Sequence, residues 1–129
     1  NACVRLDRGG LQRRSEERGI MQRVAQWAAD VPEETLNLLE LSQVAGVSLR
    51  QLQSAFKAFT GMAPSQWLRL RRLNSAHREL LSRGPTETTV AEVAMHWSFW
   101  HLGRFSSSYR ALFKELPSQT LKRSAVARR

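Results

Sequence analysis

Residues 55–69 read AFKAFTGMAPSQWLR, and residues 108–122 read SYRALFKELPSQTLK. At a shift of 53, Phe56 falls on Tyr109, Lys57 on Arg110, Phe59 on Leu112, Pro64-Ser65-Gln66 on Pro117-Ser118-Gln119, and Arg69 on Lys122. Upstream the correspondence continues at a shift of 52, with Leu41 on Val93, Ser42 on Ala94, Gly46 on Ser98 and Val47 on Phe99. The chain is therefore an internal repeat whose second copy carries one extra residue in its turn, and the architecture of one copy decides that of the other.

Each copy reads as helix, tight turn, helix. In the first, Asn37 followed by Glu40 has the spacing of a capping box, the helix runs through Leu38, Leu41 and Ala45, and Gly46 supplies a left-handed stop. Ser48 caps the next helix. There Leu52, Ala55, Phe56 and Phe59 form an apolar i, i+3, i+4, i+7 face, leaving Arg50, Gln53, Ser54 and Lys57 outside. In the second copy Thr89 and Glu92 form the box, and the turn falls at Trp97-Ser98-Phe99. Leu102, Phe105, Tyr109 and Leu112 then face inward, with Gly103, Ser106, Ser107 and Arg110 outward.

Between the copies, Pro64 suits a first helical turn, and Trp67, Leu70, Leu73, Ala76 and Leu80 keep helical spacing until Gly84-Pro85. A further amphipathic helix is expected from Ser15 to Ala29 through Ile20, Val24, Trp27 and Ala28, closed by Asp30-Val31-Pro32. The expected layout is a first helix-turn-helix subdomain over 15–63, a connecting helix over 64–83 and a second subdomain over 84–122, with 1–14 and 123–129 as flexible ends. The fold class is all-α, with about seven helices in two helix-turn-helix subdomains of homeodomain-like form.

Composition agrees. With Gly 7 and Pro 4 in 129 residues, helix breakers are few, and Leu and Ala far outnumber Val and Ile. Charge interrupts every stretch long enough to span a bilayer, so a soluble, cytoplasmic protein is expected. One cysteine, Cys3, leaves no intrachain disulfide and no thiolate metal site. His96 and His101 stand on opposite sides of the expected turn, which argues against a shared metal, and no cofactor motif is present. There is no nucleophile with a base, no paired carboxylate and no phosphate-cradling glycine loop, so an enzyme is not expected.

The net charge of +9 is unevenly spread. It runs +3 over 1–29, −4 over 30–46, +6 over 47–83, −2 over 84–101 and +6 over 102–129. The first helix of each pair is acidic, while the second helix and the segment after it are basic. A helix-turn-helix presents one polar helix face to a major groove, where Arg addresses guanine and Gln adenine by paired hydrogen bonds, so Arg50 and Gln53 are suited to reading bases. Lys57, Arg69, Arg71, Arg72, Arg104 and Arg110 are suited to phosphates. The alternative is a basic helical module for RNA or anionic membrane, disfavoured because the apolar faces are committed to a core. Trp100, at the inserted turn position, is open to DNA or a partner.

The runs Leu41–Lys57, Gly61–Pro64, Val93-Ala94 to Phe99, Phe105, Tyr109-Arg110, Phe113 and Leu116-Pro117-Ser118 resemble the DNA-binding domain of the arabinose-operon regulator (AraC/XylS) family, over roughly residues 20–122. Within it, Trp97 to Phe105 is similar to ethanolamine-operon regulators. The resemblance implies a sequence-specific double-stranded DNA-binding domain of a bacterial transcription regulator, an activator that contacts RNA polymerase. The effector-sensing domain usual in the family is expected to be absent from this chain. The family's base-reading positions fall on Arg50, Gln53 and Ser54, and on Gly103, Ser106 and Ser107. Ser48 joins the phosphate contacts. Ser98 and Lys114 stand where the family commonly has glycine, which implies a strain of about 1 kcal/mol at each. His101 is a poorer helix cap than Ser48, and Gly103 offers no side chain.

Overall fold

The computed structural model describes residues 2–30 and 37–127, with side chains over 10–29 and 37–124. Seven helices follow in order among these residues: α1 (Ala2–Asp30), α2 (Leu38–Ala45), α3 (Leu49–Thr60), α4 (Pro64–Arg83), α5 (Val90–His96), α6 (Leu102–Phe113) and α7 (Pro117–Ala127). The chain divides into two compact units, one ending at Leu68 and the other beginning at Arg69. Residues 2–14, read from the sequence as an end, belong to α1; the expected stop at Val31-Pro32 lies outside the described residues.

In the first unit, Ile20, Val24 and Ala28 line one stripe of α1 at four-residue spacing and pack with Leu41 and Ala45 of α2, Leu52, Ala55 and Phe56 of α3, and Leu68. Phe56 is fully buried and meets Trp67 edge-on, with ring centroids 5.3 Å apart. The second unit repeats the plan with α4 in the place of α1. Leu73, Ala76 and Leu80 pack with Val93 and Ala94 of α5, Phe105 and Tyr109 of α6, and Leu121 of α7. The helix expected as a connector thus contributes to both cores, Trp67 and Leu68 to one and Leu70 and Leu73 to the other.

The turns show the repeat at atomic level. After α2, Gly46 N–H donates to Gln43 O and Val47 N–H to Ser42 O, both at 3.1 Å. After α5, Ser98 N–H donates to Met95 O at 3.0 Å and Phe99 N–H to Ala94 O at 2.8 Å, the same Schellman pair 52 residues on. Likewise Gly61 N–H donates to Lys57 O and Lys114 N–H to Arg110 O, closing α3 and α6. Each closure needs a left-handed residue: glycine supplies it at φ 69° and 74°, whereas Ser98 and Lys114 adopt φ 67° and 64°. The strain expected at Ser98 and Lys114 is therefore built into the second unit. Ser98→Gly and Lys114→Gly should each stabilise that unit by about 0.5–1 kcal/mol, less than the full left-handed cost because glycine also gains freedom when unfolded. Gly46→Ala should destabilise the first unit by about 1 kcal/mol. Thermal melting of the three variants checks the signs.

Two readings from periodicity need correction. Phe59 is 45% exposed, and Leu102 and Leu112 are 47% and 40% exposed, although each was expected inside. The neighbouring helices cover only part of the circumference of α3 and α6, and Leu52, Ala55 and Phe56 fill the covered arc in one and Phe105 and Tyr109 in the other. The capping boxes also form differently. Asn37 and Thr89 accept from the backbone of Glu40 and Glu92, but the Glu92 carboxylate accepts from Thr88 Oγ1 at 3.2 Å. A complete reciprocal box forms at Ser48 and Gln51.

A chain of polar contacts crosses the second core. His77 Nδ1 lies 2.7 Å from the Tyr109 hydroxyl, which donates to Thr120 Oγ1 at 2.7 Å. Thr120 in turn donates to Glu115 Oε1 at 2.8 Å, and Glu115 pairs with Arg123 at 2.9 Å. Because the Tyr109 proton goes to Thr120, His77 Nδ1 is the donor to the tyrosine oxygen. The His77 ring also stacks on Phe113 at 4.1 Å. Burial holds the His77 imidazole below its ordinary range, Glu115 opposing and Arg123 assisting; burial likewise raises the Tyr109 phenol. A depressed histidine binds fewer protons folded than unfolded, so its contribution is present at neutral pH and is lost as pH falls through the ordinary imidazole range toward the folded value. The second unit should lose stability from about pH 7.5 to 5.5, and His77→Gln should flatten that slope. His96 lies 2.7 Å from Glu79, so the comparison is made within a His96→Gln background to leave His77 as the variable.

Candidate nucleic-acid interface

α3 and α6 are the second helices of the two helix-turn-helix motifs, and each buries one stripe and exposes the opposite one. On α3 the exposed stripe is Arg50, Gln53, Ser54 and Lys57, at i, i+3, i+4 and i+7. On α6 the same spacing gives Gly103, Ser106, Ser107 and Arg110, with Ser106 half-buried and the others exposed. The stripes follow from the cores: once Leu52, Ala55 and Phe56, or Phe105 and Tyr109, turn inward, the polar residues can only face out. Each stripe ends on a cation, Lys57 or Arg110, in the last turn of its helix.

The N-terminal ends differ. Ser48 Oγ accepts from Gln51 N–H at 3.2 Å, while Gln51 Oε1 accepts from Ser48 N–H at 2.9 Å. α6 is capped by the imidazole of His101, whose Nδ1 accepts from Arg104 N–H at 3.2 Å. Trp100 is the residue inserted before this cap, and at 76% exposure it is the most open of the large apolar side chains described. Its neighbours Trp97 and Phe99 pack instead against the second core.

Of the other residues expected to hold phosphates, Ser48, Arg69 and Arg104 are exposed, and Arg71 and Arg72 are half-buried with their Nε atoms shielded from solvent. Sequence reasoning placed His101 as a poorer cap than Ser48, and the structure shows it capping α6. The His77–Tyr109 contact was missed, because it joins residues 32 apart in sequence.

Among the described residues no helix is long and apolar enough to cross a membrane, and no group of three His, Cys, Asp or Glu side chains is placed to hold a metal ion.

Comparison with known proteins accords with this geometry. Residues 41–123 match the family described as a helix-turn-helix domain. The chain is 34% identical over 102 residues to XylDLEGF operon transcriptional activator 3 of Pseudomonas putida, covering 79% of this chain but 31% of that protein. It is 35% identical over 100 residues to XylDLEGF operon transcriptional activator 2 of the same organism, covering 78% of this chain and 64% of that protein. The chain thus spans about a third of the length of the first of these relatives. Among solved structures, a probable AraC family transcriptional regulator from Rhodopseudomonas palustris superimposes with a TM-score of 0.68 at 34% identity, over 81% of this chain and 96% of that one. The chain belongs to the AraC/XylS family, as a helix-turn-helix DNA-binding domain of the kind found in transcriptional regulators.

Proposed function

We propose that this domain reads duplex DNA in a sequence-specific manner through α3 and α6, in the cytoplasm, within a transcription activator that contacts RNA polymerase. The observation that carries the reading is the pair of exposed stripes, Arg50-Gln53-Ser54-Lys57 and Gly103-Ser106-Ser107-Arg110, on equivalent helices of the repeat. Arg50 and Gln53 make paired hydrogen bonds to base edges, and Ser54, Ser106 and Ser107 make single hydroxyl contacts. Ser48, Lys57, Arg69, Arg71, Arg72, Arg104 and Arg110 hold phosphates. Residues 15–63 and 84–122 are then the two reading subdomains, and 64–83 the helix between them. Within the family, the run Trp97 to Phe105 supports a place near the ethanolamine-operon regulators. Activation and the polymerase contact rest on the relatives' role as operon activators.

Because α3 carries both bidentate side chains, discrimination concentrates in one half of the site. Arg50→Ala and Gln53→Ala should each cost about 1–3 kcal/mol at the base pair they read and relax preference there, whereas Arg110→Ala should weaken all duplexes alike. Competition binding against a panel of single-base-pair variants separates the two outcomes. Uniform weakening by Arg50→Ala would move that residue from base reading to phosphate contact.

A further inference from the structure

At the start of the second reading helix, two positions have exchanged reach. The first unit has a short cap, Ser48, followed two residues later by a long reader, Arg50. The second has a long cap, His101, followed two residues later by Gly103, with no side chain at all. Gly103 lies inside α6 and has no left-handed conformation to require glycine. What lies beside it is the imidazole: beyond its chain neighbours and the backbone of its own helix, a Cβ built on Gly103 would meet His101 alone, at 3.4 Å from Cε1 and 3.6 Å from Nδ1. The histidine ring therefore lies in van der Waals reach of where the Cβ of a longer residue 103 would stand.

The cap also fixes the chemistry of that ring. A backbone N–H can only donate, so the nitrogen that receives it from Arg104, Nδ1, carries no proton. The neutral ring then bears its proton on Nε2. Nε2 adjoins Cε1, on an exposed residue, and has no hydrogen bond to any described residue. The ring thus presents a single oriented donor, held by packing against Gly103 on one side and by the cap on the other.

We propose that His101 is a DNA-contacting residue of the second unit, its Nε2–H donating to a hydrogen-bond acceptor of the duplex in place of the side chain that Gly103 lacks. The acceptor is an oxygen or ring nitrogen on the DNA, either a phosphate oxygen or a base edge in the major groove. The contact is made by the neutral imidazole, so it adds affinity without displacing a counterion. This proposal rests on the duplex-binding reading of the domain.

The test separates the cap from the contact. His101→Ser restores the cap of the first unit but removes the Nε2 donor, and His101→Asn, another good cap with shorter reach, guards against a fault particular to serine. Both are compared with the parent for duplex affinity across a salt series and for thermal melting. Expected is a melting temperature no lower than the parent's and an affinity lower by about three- to tenfold at every salt concentration, with the salt slope unaltered. Arg104→Ala, by contrast, should reduce the slope by about 1. Loss on every duplex alike marks a phosphate acceptor; loss confined to one base pair marks a base edge. The double variant His101→Ser/Gly103→Arg, which transplants the first unit's arrangement, should regain affinity with a steeper salt slope. Parent-like affinity in both single variants would overturn the assignment while leaving duplex binding intact. Failure of the parent to bind any duplex would remove both together.

Discussion

Raising the salt from about 50 to about 200 mM should weaken duplex binding by about a thousandfold. Six cations, Lys57, Arg69, Arg71, Arg72, Arg104 and Arg110, are assigned to phosphates, and each phosphate neutralised on B-DNA contributes about −0.9 to the slope of log affinity against log salt. The total slope is then about −5, and a fourfold rise in salt supplies the effect. The half-burial of Arg71 and Arg72 sets the direction of any shortfall: if these two do not reach phosphates, the slope falls toward about −4. Fluorescence anisotropy with a labelled duplex measures it directly. The same series with anionic vesicles and with double-stranded RNA distinguishes the rival partners, since tighter binding to either than to any duplex is incompatible with the assignment of α3 and α6 to a major groove.

Truncating Phe105 to alanine should destabilise the second unit by about 3–5 kcal/mol, a large share of what a small domain possesses. The ring is 1% exposed and lies between Phe99 at 4.9 Å and Tyr109 at 5.7 Å, so no neighbour can close the space without giving up its own contacts. The two cores share no residue, and Phe56 anchors the other. Amide hydrogen exchange should therefore show protection lost over α5, α6 and α7 and retained over α2 and α3. Binding should weaken through loss of the α6 contacts, while base preference at the pairs read by Arg50 and Gln53 persists. Equal loss of protection in both units would indicate one cooperative fold.

The repeat made much of this legible from residues alone. Once Pro64-Ser65-Gln66 is laid on Pro117-Ser118-Gln119, the positions of caps, stops and outward stripes in one copy dictate those in the other. Gly46 and Gly61 mark where Ser98 and Lys114 must take left-handed backbone, and they do. Periodicity alone overreached at Phe59, Leu102 and Leu112. An apolar residue at helical spacing is buried only when another element covers it, and spacing does not reveal how wide that cover is. The path from His77 through Tyr109 and Thr120 to Glu115 was invisible because each link depends on how four separate segments pack. His101 was legible as a weak cap but not as a ring lying against Gly103, since the packing of a side chain two residues away is a matter of rotamer, not of sequence.

Selection of bound sequences from a random duplex library tests the central claim most directly. The account predicts enrichment of two unlike boxes, with most of the information in the box read by Arg50 and Gln53 and a weaker one read from α6. No enrichment over the starting library would contradict sequence-specific reading, and equal information in both boxes would contradict the unequal roles assigned to the two helices.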